Sequence, residues 1–241
     1  MKPALIALLV FSLCLAGCGN KEMPKPQSKA KAKKTQPATE PSKKISLNIP
    51  EEMEGLDSSS AVDRENSLLH LAEIKEAAKM AAPRAVELLK DDSAGVRAAA
   101  LQLIFRAEHN TPEALAGISV LASGDKDENV RNEALGGLKI FGAHEEHAKV
   151  CAKLLGSKEQ QLREIGSLGL TEANHHAVVV QAELVVALKD KSAYVRANCA
   201  EALGNLGVDS SDEARKGLEA LKNDKEKMVQ TAVKKALKKL P

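Results

Sequence analysis

Asp91-Asp92-Ser93-Ala94-Gly95-Val96-Arg97 recurs along the chain, and that recurrence decides the fold. Its copies are Asp125-Lys126-Asp127-Glu128-Asn129-Val130-Arg131 and Asp190-Lys191-Ser192-Ala193-Tyr194-Val195-Arg196. Two weaker copies centre on Leu162-Arg163 and on Val229-Gln230, the second preceded by Asp224. The anchor positions 96, 130, 162, 195 and 229 lie 34, 32, 33 and 34 residues apart. Four residues past each anchor stands Ala100, Ala134, Gly166, Cys199 or Val233, and eight past it Ile104, Leu138, Leu170, Leu203 or Leu237. An i, i+4, i+8 series of this kind makes one apolar helical stripe. A second stripe precedes each anchor, as in Val178, Val179, Ala182, Leu184, Val185 and Leu188. The unit is a helical hairpin, and a period of this length belongs to solenoids.

Start and stop signals agree with this division. Thr111-Pro112-Glu113 reads as a cap followed by proline at the first helical position. Ser157-x-x-Gln160 and Ser210-x-x-Glu213 read as capping boxes, and Gly142 and Gly207 stand where second helices should end. The expected hairpins cover 82–107, 112–141, 145–170, 175–207 and 211–240, with one capping helix over 61–80. The expected fold is all-α: an α-solenoid of about five hairpins in a right-handed superhelix. At about 8–10 Å between packed helices it should run roughly 50 Å. Its second helices should line one continuous concave face.

An Asp closing the first helix, a Val-Arg pair five and six residues later, then small and leucine positions, resemble HEAT repeats. The nearest class is the bacterial HEAT-like one that includes phycobilin-lyase-type repeats, and the resemblance covers residues 61–241. The third unit departs from it: Ser157 stands for the Asp, Leu162 for the Val, and the unit is shorter. The fifth has Gln230 for Arg. Gly166 and Gly169 further weaken the third unit's helix. The resemblance implies a structural Asp–Arg ladder, Asp91, Arg97, Asp125, Arg131, Asp190 and Arg196, tying neighbouring repeats by charge-assisted hydrogen bonds. Repetition at the solenoid period argues against a catalytic role for these charges.

The N-terminal quarter reads differently. An apolar run over residues 4–16 follows Met1 and Lys2 and is too short to span a bilayer, the layout of a secretory signal over 1–17. Its ending, Leu15-Ala16-Gly17-Cys18, resembles the bacterial lipobox. That resemblance implies cleavage before Cys18 and acylation of its thiol, and Gly19 in place of Asp implies the outer membrane, facing the periplasm. Residues 18–60 are expected to form a disordered, Lys- and Pro-rich linker after the lipidated cysteine, because too little apolar surface is present to offset ordering entropy. Residues 21–44 carry eight lysines against Glu22 and Glu40, whereas residues 45–241 are net −5. Basic character thus belongs to the linker, the reverse of a nucleic-acid-binding domain.

Chemistry-bearing motifs are scarce. No Ser-His-Asp arrangement, P-loop or Gly-rich nucleotide fingerprint is present, and no cofactor is expected. Past the signal the aromatics are Phe105, Phe141 and Tyr194, too few for stacking platforms. His144-Glu145-Glu146-His147 lacks the i, i+4 spacing and further ligand of a zinc helix, so it reads as an exposed hairpin start rather than a metal site. His175-His176 opens the next hairpin and leaves a shared surface site conceivable. Cys151 and Cys199 could join in an oxidising envelope, but both fall on apolar helix faces and read as small buried hydrophobes. Lys234, Lys235, Lys238 and Lys239 on the last helix suit a solvated terminal repeat, with an acidic partner or a membrane as the other reading.

The expectation is therefore a non-enzymatic, lipid-anchored scaffold of the bacterial cell envelope. It would be monomeric and would hold a protein partner on its second helices. Gln102, Arg106, Asn132, Lys139, Asn198, Glu201 and Asn205 are the candidate partner-facing residues. A small-molecule-binding or lyase-type enzyme, and a self-associating envelope protein, are the competing readings.

Overall fold

The computed structural model describes residues 48–240. The signal at 1–17, the lipidation site Cys18 and the linker as far as residue 47 lie outside the described residues. All the regular structure described is helical. The helices pair as α1 (Ile49–Gly55) with α2 (Ala61–Glu73), α3 (Lys75–Leu88) with α4 (Ala94–Ala107), and α5 (Pro112–Gly124) with α6 (Glu128–Ile140). Then come α7 (His144–Leu155) with α8 (Gln160–Ala173), α9 (Gln181–Ala187) with α10 (Ala193–Leu206), and α11 (Asp212–Ala220) with α12 (Lys227–Leu237). A 3-10 stretch, Asn174–Val180, leads into α9. Five of these pairs correspond to the expected hairpins, although the first begins at Lys75 rather than 82 and α9 begins at Gln181 rather than 175.

In the remaining pair α1 replaces the expected end of the linker, and α2 takes the first part of the expected capping helix. Ile49, Met53 and Leu56 fall at i, i+4, i+7; Leu56 is fully buried and the other two pack on the same core. Pro50 opens the helix, where its missing N–H costs nothing. Arg64 continues the Arg period backwards, 33 residues before Arg97, and Ser67 and Leu71 are the matching buried positions.

Caps set the boundaries. Thr111 Oγ1 accepts from the Ala114 N–H at 3.3 Å, and Asp127 Oδ1 accepts from Asn129 and Val130 at 2.8 and 3.2 Å. Gly142 and Gly207 take φ of +67° and +57°, the left-handed turn that releases the chain from a second helix. The two expected capping boxes give way to other arrangements. Ser210 N–H closes a turn onto the Gly207 carbonyl, so Ser211 caps α11 instead. Ser157 Oγ accepts from the Glu159 N–H, which leaves Glu159 at the start of α8. The expected helix over 61–80 breaks at Ile74, and α3 then runs straight through Pro83. Pro83 faces solvent while Ala81, Ala82 and Ala85 around it are buried, so packing holds a helix that proline alone would interrupt.

Two contiguous cores result. One runs from Leu56 to Ala143 with Val150; the other runs from Ala148 to Leu240. They meet where the third hairpin begins, and half-buried Leu135 touches both. Glycines permit the close approaches: a Cβ on Gly166 would stand 2.5 Å from the Cys151 carbonyl oxygen, and one on Gly169 would meet the Cys151 sulfur. These residues seat α8 on α7, which outweighs their weak helix propensity.

Candidate functional site

Between the repeats lies a ladder of guanidinium–carboxylate pairs. Arg97 Nε and Nη2 donate to Asp125 Oδ2 and Oδ1, both at 2.7 Å, and its Nη1 donates to the Asp91 and Asp92 carbonyls at 2.7 and 3.0 Å. Each such arginine therefore closes the turn of its own hairpin and grips the next. Arg196 does the same to Asp224 at 2.9 Å on both arms. Arg163 reaches Asp190 at 2.7 and 3.4 Å, and Arg64 reaches Asp91 at 2.8 and 2.9 Å. The carboxylates in turn hold their own loops: Oδ1 of Asp91, Asp125, Asp190 and Asp224 accepts the N–H two residues on at 2.8–2.9 Å. At Asp91, Asp125 and Asp190 burial works against ionisation, yet the arginine and backbone donors hold each carboxyl below its usual range. At Asp224 the Arg196 hydrogen bond dominates, in the same direction.

One rung is open. Arg131 donates from Nη1 to the Asp125 and Lys126 carbonyls at 2.8 and 3.1 Å, and among the described residues it has no carboxylate partner. Ser157 stands where the next Asp would be. Its hydroxyl makes the loop bond but carries no charge for Arg131. The open rung falls at the junction of the two cores.

The histidines do not assemble a metal centre. His147 turns into the core beside Cys151, its Nε2 3.7 Å from the sulfur, and burial lowers its pKa to about 4. His144 stays at the surface, where its ring stacks on His176 at 4.7 Å, and His175 tilts against His176 at 4.0 Å. Among the described residues no group of three or more His, Cys, Asp or Glu is placed to hold a metal ion.

The second helices present a solvent-facing surface, and its make-up was not read from the sequence. Their exposed large apolar side chains are Val62, Leu69, Ile140, Leu168, Tyr194 and Met228. Counted from the anchor residue of each second helix (position 63 in α2), these stand at −1, +6 or +10. At 100° per residue those positions fall within about 40° of one another around the helix. The same side thus carries an exposed apolar group on each second helix except α4, set among polar residues and up to about 16 Å apart along the helix axes, with Ile140 75%, Tyr194 61% and Leu168 54% accessible.

The seven polar candidates divide on this surface. Three are spent on neighbouring repeats. Lys139 Nζ meets Glu172 at 2.5 Å, Asn198 Nδ2 donates to Ser167 Oγ at 3.0 Å, and Asn205 donates to the Thr171 carbonyl while accepting from Lys239. Gln102 donates toward Glu133, whose carboxyl burial pushes up. Arg106, Asn132 and Glu201 are exposed. Glu201 and Asn198 line a groove of about 510 Å³ between α10 and α12, together with Ala197, Lys227, Met228, Thr231, Ala232, Lys235, Ala236 and Lys239.

No protein-family model matches the chain, and no curated protein matches it either. Solved structures do. The chain is similar to a computationally designed armadillo repeat protein for modular peptide recognition, with TM-score 0.50 and 19% identity over 80% of this chain and 100% of that one. The fold is an armadillo-like helical solenoid. A second designed armadillo repeat protein, solved in complex with the peptide (KR)4, matches with TM-score 0.48 and 18% identity over 81% of this chain and 100% of that one.

Proposed function

We propose that this protein is a non-enzymatic scaffold of the bacterial cell envelope, anchored by lipid at Cys18 in the outer membrane and holding a protein partner in the periplasm against its second helices. The observation that carries the reading is the solvent-facing side of the second helices, where Ile140, Leu168, Tyr194 and Met228 stand exposed among polar side chains. Aromatic and aliphatic groups set among polar ones are the make-up of a protein-binding face. Packed helical pairs, most of them tied by arginine clamps, present these side chains with little conformational entropy left to lose on binding. The similarity to an armadillo repeat protein designed for peptide recognition fits this use of the face. The Lys-rich segment over 21–44 would let the solenoid search the space around its anchor, raising the local concentration of partner.

The test uses the full chain as bait in detergent-solubilised envelope after brief crosslinking, beside Leu168→Glu and Tyr194→Glu variants. One stoichiometric protein, lost from both variants, is the expected result. Equal recovery from all three baits, or a small molecule retained in native mass spectrometry with no protein, overturns the reading. Radiolabelled palmitate should enter the chain and fail to enter Cys18→Ala.

A further inference from the structure

We infer that the groove between α10 and α12 receives an extended, acidic peptide segment of the partner. This rests on the second-helix face being a protein-binding surface and adds the chemistry of what binds at its C-terminal end. Lys227, Lys235 and Lys239 line the groove with Glu201 as the one carboxylate, a net charge of +2 over a floor of Ala197, Met228, Ala232 and Ala236. All three lysines are exposed, and Lys239 spends only one of its three donors, on Asn205 at 2.9 Å. Cations at the rim and an apolar floor call for a ligand that alternates carboxylates with a small apolar side chain.

Spacing selects the conformation. Lys227 and Lys239 lie about 18 Å apart along the helix axis, at 1.5 Å per residue. Lys235 and Lys239 are separated by about 6 Å, close to the roughly 6.6 Å between same-side residues of an extended chain. Lys227 and Lys235 are about 12 Å apart, close to four extended residues. The level midway between them is that of Thr231, beside the Met228 and Ala232 floor. The matching ligand is therefore acidic–x–apolar–x–acidic–x–acidic, read in either chain direction.

The probe is a fluorescein-labelled Glu-Ser-Val-Ser-Glu-Ser-Glu peptide, its reversed sequence, and a control of equal composition with the three glutamates adjacent. Anisotropy is read against the full chain carrying Cys18→Ala, so that no lipid contributes. The better of the two spaced peptides should bind at least about fivefold tighter than the control. Lys227→Glu with Lys235→Glu should weaken it about tenfold, with an unchanged melting curve because both side chains are exposed. Equal binding of spaced and clustered peptides, or no effect of the substitutions, overturns the inference. So does binding to phosphatidylglycerol vesicles that the same substitutions abolish while the peptides fail to bind, or a sedimenting dimer that they dissociate. If the captured partner is lost with Leu168→Glu but kept with the lysine variants, the groove is wrong and the face stands. If no substitution affects capture, both readings fall.

Discussion

Arg97 and Asp125 lie on different hairpins, 28 residues apart, and meet through two parallel 2.7 Å hydrogen bonds with side chains 12% and 4% exposed. A bidentate pair this well shielded fixes both distance and angle between repeats. Arg131, one repeat on, makes the same carbonyl bonds but closes no pair.

That contrast sets the first expectation. Arg97→Ala leaves the Asp125 carboxylate buried without its cation and should cost about 2–4 kcal/mol, whereas Arg131→Ala should cost only about 1 kcal/mol. Ser157→Asp should place a carboxylate before Arg131, since Ser157 already makes the loop bond that its counterparts make. Chemical denaturation should then show a gain of up to about 1 kcal/mol that Arg131→Ala abolishes, a coupling readable in a double-mutant cycle. Additive effects would show that the shorter loop keeps the two residues apart.

Acid should unfold the protein in two stages. His147 is buried and its pKa is depressed to about 4, so the unfolded chain takes up that proton more readily. Its contribution, about 3 kcal/mol, is fully present above the ordinary histidine value near 6.5 and is lost as pH falls toward 4. The lowered carboxyls of Asp91, Asp125, Asp190 and Asp224 act further down: their stabilisation is present above the ordinary carboxylate value of 3.8 and lost as pH falls through the folded-state values. Melting temperatures measured from pH 7 to 2 should show both slopes. In His147→Met the slope between pH 6.5 and 4 should shrink to the small share left by the lowered His176, while the lower one remains.

Two adjacent glycines should respond with opposite signs. A Cβ on Gly137 would run into the Phe105 ring, which stands edge-on to Phe141 at 5.4 Å, while a Cβ on Gly136 meets nothing within 4 Å. Gly136→Ala should therefore stabilise by about 0.5–1 kcal/mol through backbone entropy and helix propensity. Gly137→Ala should destabilise by about 1–3 kcal/mol through overpacking. Urea melts of the two variants decide the matter.

Cys151 and Cys199 are free, buried thiols, and burial raises both, Cys151 to about 12. The thiolate is the reactive form. Iodoacetamide at pH 8 should leave both unmodified in the folded chain and label both once guanidinium is added, as followed by peptide mass mapping. Rapid labelling of the native protein would show that α7 or α10 opens readily.

Much of this architecture could be read before any coordinates. The rungs at Asp125, Asp190 and Asp224 stand at the residues that the repeat marks, and the gap opposite Arg131 falls where Ser157 breaks the pattern. Arg64 with Ser67 and Leu71 carries the same period, but the Lys- and Pro-rich composition upstream masks the apolar spacing of Ile49, Met53 and Leu56. Of the candidate partner residues, Lys139, Asn198 and Asn205 are bonded to adjacent repeats, and the exposed apolar groups of the second helices are not legible because exposure leaves no mark in a single helix's sequence.

The sequence by itself determined the repeat period, most helix ends and the loop chemistry, since caps, Asx-type turns and propensities are settled among residues a few positions apart. Tertiary structure alone decided that His147 turns inward while His144 stacks outside, that Gly137 is needed and Gly136 is not, and that the core divides within α7. Those outcomes depend on what the neighbouring hairpin places opposite each side chain, some 30 residues away, and no local pattern encodes it.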